Sequence, residues 1–342
     1  MSRTDGSVYL PLSLTDVQGS PVAESTLFLR TRDSYVVFRE AGSRVDRQAI
    51  TQLKSSGIDT LYVLCTDGDS IDHYVSRHLT QALHDPNVEP GEKAHLLTAS
   101  SMVIAREIMD HPNVIEISRA RPIIDATAGQ ALSSPDTLFE LIRSSGADDS
   151  LQTNMVNSGI YALALCGPLG ITDPSEMEVM ALAGFLHDIG KTQIPRDVLY
   201  KQGPLSKSEW TLMRQHVLLG HNLLRQIRNL PEPVLEATRS HHERMDGQGY
   251  PDGLGGQDIP FIARVIAVVD VLNALTVETP YRRRLSAFEA IMMMRDRMEG
   301  QFDLEILRAL IHALGPRDAE APGVPPAPRA DPGGIQSAAG SN

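Results

Sequence analysis

The sequence predicts a mainly α-helical protein, with an all-helical domain over residues 146–315 preceded by a small α/β domain at 7–70 and a helical connector at 71–145. Three observations predict this. From Asp173 onward, capping residues recur ahead of apolar stretches at helical spacing. Short β-type runs bounded by turn residues lie before residue 66. The 342 residues, 42% of them apolar, 22% charged and 5% aromatic, supply the apolar surface for folded cores and the length for two domains.

The elements follow in chain order. Thr26 to Arg30 and Tyr35 to Arg39 flank the turn-prone Arg32, Asp33 and Ser34 and predict a hairpin. Asp46 to Ser55 carries Ile50 and Leu53 at helical spacing and stops at Gly57, and Thr60 to Leu64 is strand-like again. Residues 71–145 read as amphipathic helices, most clearly Lys93 to Met109, serving as a connector or dimer-forming stalk. In the next domain Asp173, Pro174 and Glu176 open a helix expected to end near Gly190. Ser206 with Glu209 and Ser286 with Glu289 form capping-box patterns, Pro233 and Pro260 can open two further helices, and Asp303 to Gly315 makes the last one. The Pro-, Gly- and Ala-rich tail 316–342 cannot bury enough apolar surface to offset its ordering entropy, so disorder is expected there.

A balance of 31 basic against 43 acidic residues, net −12, argues against a generally basic nucleic-acid-binding surface while leaving room for a local cationic pocket. No DNA partner is therefore expected. Cys65 and Cys166 stand far apart and support neither a disulfide framework nor a cysteine metal site. The first residues lack the order of a signal peptide, and the most apolar run, Ile262 to Leu275, is broken by Arg264 and Asp270. A cytoplasmic protein without membrane insertion is the expectation.

The candidate chemistry lies in four predicted helical segments: His187 and Asp188 in FLHDIGK, His216 in MRQHVLLG, His241 and His242 in SHHERMDGQGYP, and Asp270 in IAVVDVLNALT. Asp270 interrupts a valine-rich run, and burying it there requires an opposite charge, from Arg264, Lys191 or a divalent ion. Imidazole and carboxylate donors without thiolate suit iron, manganese or zinc, and one aspartate can bridge two ions roughly 3.5–4 Å apart. Taken singly, His216 reads as a core or capping residue. Adjacent His241 and His242 point to different helix faces, so both need not face one site.

Together these motifs resemble the HD-GYP family, a branch of the HD-domain metal-dependent phosphohydrolases known for hydrolysing cyclic di-GMP. The resemblance covers approximately residues 146–315 and is carried by HDIGK (187–191), IP (194–195), His216 with Gly220, HHERMDGQGYP (241–251), IP (259–260), AR (263–264), Asp270 and PYR (280–282). Val8 to about Tyr74 is similar, more weakly, to the small N-terminal domain that often precedes it. The resemblance implies an HD-type helical fold and a phosphodiesterase yielding pGpG or GMP in bacterial second-messenger signalling. It implies that His187, Asp188 and Asp270 hold one divalent ion, that Asp188 bridges, and that His216, His241 and His242 complete a second. Iron or manganese comes first, with zinc, nickel, cobalt or magnesium as alternatives, and the two ions would generate the attacking hydroxide in line with the scissile bond. Asp188 and Lys191 would be catalytic, with Lys191 also a point charge on a phosphate oxygen. Gly249, Tyr250 and Pro251 belong to a flexible Gly-rich loop at the pocket mouth, and Arg282 would sit on a phosphate. Implied partners are cyclic di-GMP, GGDEF-type or other signalling proteins, and a second copy in a homodimer.

The sequence also departs from the family. Members usually open the domain with a helix bearing a histidine ligand, and three-metal members add a glutamate one turn earlier. Aligning LQTNMVNSGIYALAL with that helix puts Asn154 at the histidine and Ser150 at the glutamate. An amide oxygen is the poorer ligand, so the first ion should bind more weakly and a third is not expected. Thr279 replaces a common arginine and Asn273 a common aspartate, while Arg283 and Arg284 either compensate or form a solvated face. The alternative function is a degenerate member that binds cyclic di-GMP or a partner without efficient turnover.

Overall fold

The structure, a computed structural model, describes residues 8–14, 23, 25–31, 34–45, 47–58, 60–65, 74, 78–86, 88–146, 150–278 and 283–314. The tail 316–342 and Thr279 to Arg282, including the expected phosphate contact Arg282, lie outside these residues.

Near the N-terminus, β1 (Val8–Ser13), β2 (Leu27–Arg30), β3 (Tyr35–Arg39) and β4 (Thr60–Cys65) form an antiparallel sheet in the order β1-β4-β2-β3, with α1 (Arg47–Ser55) between β3 and β4 in sequence. The predicted hairpin is present: β2 pairs with β3 from Leu27–Arg39 to Arg30–Tyr35. Strand β1 is an addition to the expected elements, because Pro11 interrupts its apolar run. The structure puts β1 at the sheet edge, where a residue lacking an N–H is tolerated.

The rest is helical: α2 (Thr80–His84), α3 (Pro90–Asp110), α4 (Val114–Ser133), α5 (Pro135–Arg143), α6 (Leu151–Cys166), α7 (Pro174–Leu186), α8 (Arg196–Leu199), α9 (Lys207–Met213), α10 (His216–Leu224), α11 (Glu232–Ser240), α12 (Phe261–Thr276), α13 (Ala287–Arg297) and α14 (Leu304–Leu314). The caps explain the starts. Asp173 accepts from the Ser175 and Glu176 amides, and both capping boxes, Ser206 with Glu209 and Ser286 with Glu289, are complete. Helix α7 ends at Leu186 rather than near Gly190, since His187 caps it and the chain tightens into a 3-10 turn at Ile189–Gln193.

One continuous core runs from Leu10 and Leu61 in the sheet through Leu96 and Ile104 of α3 to Leu163 of α6, Phe185 of α7 and Val268 of α12. Among the described residues no helix is long and apolar enough to cross a membrane.

Candidate metal centre

Helix ends, more than helix faces, assemble the site. His187 caps α7, Asp188 precedes the 3-10 turn, His216 opens α10, His241 caps α11 and His242 follows it, while Asp270 alone sits inside a helix, α12. This answers the expectation about adjacent histidines. Just past the end of α11 at Ser240, His241 and His242 both face the centre, with ring centroids 4.1 Å apart.

Close backbone crossing brings the segments together. A Cβ on Gly190 would lie 1.9 Å from the His216 carbonyl oxygen and 2.4 Å from the Gly220 nitrogen, so only glycine lets the 3-10 turn seat against α10.

The histidine tautomers are set by the backbone. Nδ1 of His187 lies 2.7 Å from the Gly184 carbonyl, Nδ1 of His216 2.7 Å from that of Met213, and Nδ1 of His241 3.1 Å from those of Ala237 and Thr238. Carbonyls only accept, so each Nδ1 carries a hydrogen and each Nε2 is the nitrogen turned toward the centre. His187, His216 and His241 are at most 1% exposed and Asp188 is 3% exposed.

Asp188 divides its carboxylate between two sides. Its Oδ2 lies 3.3 Å from His187 Nε2 and accepts from Lys191 Nζ and, at 3.0 Å, from Asn154 Nδ2. Its Oδ1 lies 3.3 Å from His216 Nε2 and 3.7 Å from His241 Nε2. Asp270 Oδ1 is 3.5 Å from His187 Nε2. The donor atoms therefore form two groups sharing Asp188: His187, Asp188 and Asp270; and Asp188, His216, His241 and His242. In each group the atoms lie within 4.8 Å of one another.

Electrostatics agree with a cation site. Asp188 Oδ1 and His187 Nε2 are buried without a hydrogen-bond partner, orphans that a divalent ion would satisfy. Burial opposes a charge on His187, but the Asp188 and Asp270 carboxylates outweigh it and raise its pKa to about 10. Burial likewise opposes ionisation of Asp188 and is overcome by Lys191 and His187, which hold it well below the carboxylate range; His187 does the same for Asp270. Burial pushes His216 down to about 4 and His242 well below its ordinary value. An imidazole kept neutral is the form that ligates. The cluster fits divalent ions.

A protein-family model described as HD domain matches residues 122–306, more than half of the chain. The chain belongs to the HD-domain family. This HD domain is 36% identical over 201 residues to a cyclic di-GMP phosphodiesterase of Pseudomonas aeruginosa, covering 59% of this chain and 48% of that protein. It is 39% identical over 145 residues to a cyclic di-GMP phosphodiesterase response regulator of Xanthomonas campestris (42% of this chain, 38% of that one). It is also 39% identical over 124 residues to a 3'3'-cGAMP-specific phosphodiesterase of Vibrio cholerae (36% and 24%). The chain thus spans about half or less of the length of these relatives. A solved HDG"Y"P protein from Bdellovibrio bacteriovorus shares the fold, with a TM-score of 0.62 at 19% identity over 90% of this chain and 99% of that chain.

Around the HD centre, Arg264 does not neutralise Asp270; it pairs with Asp303 at the start of the last helix. Lys191 lies on Asp188. The expected flexibility of the Gly-rich loop gives way to a pinned loop: a Cβ on Gly249 would lie 2.4 Å from Glu243 Cα and 2.5 Å from the His242 carbonyl, so glycine is needed for close approach to the chain itself. Three residues missed in the sequence do related work. Buried Glu243 accepts from the Asp252 and Gly253 amides at 2.7 and 3.1 Å, and Arg239 grips Asp252 with two bonds of 2.8 Å. Tyr250 consequently stacks on His242, centroids 4.8 Å apart, and the Arg214 guanidinium lies 5.0 Å from the Tyr250 ring centroid. The HHER string contained Glu243, but no spacing rule assigned it a partner; Arg214, two residues before His216, carried only that proximity as a signal.

Proposed function

We propose that this chain is a metal-dependent phosphodiesterase hydrolysing cyclic di-GMP to pGpG or GMP. The observation that carries the reading is the divided carboxylate of Asp188, with one oxygen toward His187 and the other toward His216 and His241, the arrangement needed to bridge two ions. Relatives named for cyclic di-GMP support the substrate. Nitrogen and oxygen donors without thiolate favour iron or manganese, which when bound supply Lewis acidity toward a phosphodiester.

The chain's own residues orient and neutralise. His187, His216, His241, His242, Asp188 and Asp270 are the proposed ligands. Lys191 stays protonated because Asp188 and Asp270 outweigh its burial, so it offers a point charge to a phosphate oxygen. Tyr250, held by Gly249 and Pro251, bounds the mouth, and Arg282 is the proposed phosphate contact. Residues 7–70 are proposed as a sensor, adaptor or dimerisation unit joined through 71–145 to the catalytic-type domain 146–315, in a cytoplasmic homodimer that meets GGDEF-type or other signalling proteins.

One observation favours a second reading, a binder of cyclic di-GMP without efficient turnover: Asn154 turns its NH2, which has no lone pair to give, toward Asp188. Metal analysis and turnover on the purified chain decide. Two ions with hydrolysis support the enzyme, one ion with binding and no hydrolysis supports the binder, and neither metal nor binding overturns both.

A further inference from the structure

Asparagine amides can face either way, yet in this protein a bond chain anchored on backbone fixes three of them. The Gly146 N–H donates to Asn157 Oδ1 at 3.0 Å, and Asn157 Nδ2 donates back to the Gly146 carbonyl at 2.9 Å. Neither backbone group can reverse its role, so Asn157 is locked. Asn157 Nδ2 also donates to Asn273 Oδ1 at 3.0 Å, which leaves Asn273 Nδ2 to donate to Asn154 Oδ1 at 2.6 Å. Ser158 Oγ donates to the same oxygen at 3.0 Å. Asn154 Oδ1 is therefore occupied, and its Nδ2 points to Asp188 Oδ2, 3.0 Å away. Asn157, Asn273 and Ser158 are at most 2% exposed, so water cannot readily substitute for a lost partner.

We infer that Asn273 is a positioning residue that holds the Asn154 amide in its donating orientation and thereby leaves the His187 side of the centre one protein donor short of the His216 side. The inference rests on the reading that the centre holds divalent ions. The His187 side has three donor residues and the His216 side four; Asn154, whose Nδ2 lies 3.0 Å from the Asp188 oxygen on the His187 side, presents hydrogen there instead of a lone pair. The two ion positions are unequal because of an amide orientation set one residue back from the site.

Replacing the Asn273 donor should reverse it. In Asn273→Asp the new carboxylate still accepts from Asn157 but repels Asn154 Oδ1, so the Asn154 amide turns over, donates to that carboxylate and to Ser158, and offers its oxygen to the centre. Calorimetric titration of Mn2+ into the metal-free full chain reads this without reference to activity. Asp270→Asn should abolish the weaker of two steps and so assign it to the His187 side; loss of the tighter step overturns the inference. Asn273→Asp should tighten the weaker step by about tenfold or more while the tighter step stays put. The double variant Asn154→Ala/Asn273→Asp keeps the added charge but has no amide to turn, and should lose the gain; a gain equal to that of Asn273→Asp alone, or no gain in either, overturns the inference. Should Asn273→Asp not fold, Asn273→Leu releases the amide without adding charge and must tighten the same step by a smaller factor, an unchanged step again overturning it. A wild-type chain that takes up no ion would sink the phosphodiesterase reading and this inference together, whereas two ions with no response at position 273 sinks this inference alone.

Discussion

Gly190→Ala tests how the two halves of the centre are held together. The new Cβ would meet the His216 carbonyl oxygen at 1.9 Å and the Gly220 nitrogen at 2.4 Å, where real contacts stay above 3.0 Å. Both obstacles are backbone, so no side-chain rotation can relieve the clash and the 3-10 turn must retreat from α10 by about 1 Å. Overpacking of this kind costs about 3 kcal/mol, which for a domain of this size lowers Tm by about 6–12 °C. The same retreat separates Asp188 Oδ1 from His216 Nε2, now 3.3 Å apart, and a misplacement of about 1 Å costs on the order of a hundredfold in rate. Thermal unfolding and metal uptake of Gly190→Ala, measured beside Gly129→Ala, provide the assay. A Cβ on Gly129, on the exposed side of α4, meets nothing within 4 Å, so that variant should be neutral or gain about 0.5–1 kcal/mol. If Gly190→Ala melts and binds metal like the wild type, the close crossing does not organise the centre.

Two more outcomes follow from the geometry. In the metal-free protein the folded state holds a proton on His187 up to about pH 10, whereas the unfolded chain releases it near 6.5, so stability is fully present below about pH 6.5 and is lost as pH rises toward 10. Urea unfolding after chelation at several pH values in that window reads it, and a profile as flat in the wild type as in Asp188→Asn refutes it. Glu243→Ala removes the acceptor of the Asp252 and Gly253 amides, should cost about 1–3 kcal/mol and loosen the loop carrying Tyr250, and so should raise KM for the proposed substrate, cyclic di-GMP, with metal content unchanged; loss of metal with unaltered KM contradicts the assigned role.

The sequence made the centre legible because its residues are few in type and most stand near helix ends: an Asp270 among valines, only 15% exposed, calls for a cation, and HD with HHER supplies the rest. It concealed features that depend on where a helix stops. Periodicity predicts that His241 and His242 diverge, yet just past the end of α11 at Ser240 both turn inward. A glycine run reads as flexible, whereas Glu243 and Arg239 pin this one through partners nine to thirteen residues away. Arg264 reads as a partner for Asp270 farther along the same helix, but Asp303, 39 residues on, takes it. Strand β1 escapes the pattern because Pro11 violates that of a central strand and not that of an edge.

Asn154 and Asn273 show the same limit most sharply. Along the chain they are separate departures from a resembled pattern, 119 residues apart; in the fold their amides touch at 2.6 Å. Reverting one without the other should therefore fail. In Asn154→His the ring nitrogen facing Asn273 meets an N–H donor locked in place through Asn157 and must accept from it, so the ring proton moves to the nitrogen facing Asp188, which then cannot ligate. Asn154→His/Asn273→Asp puts an acceptor behind the ring, places the proton there and turns the lone pair toward the centre, the carboxylate–histidine–metal arrangement. Metal analysis should find the single variant close to the wild type and the double variant with fuller occupancy of the His187 side. Equal gains in the two would mean that the tautomer is not governed from position 273, because the ring would then have found its acceptor elsewhere.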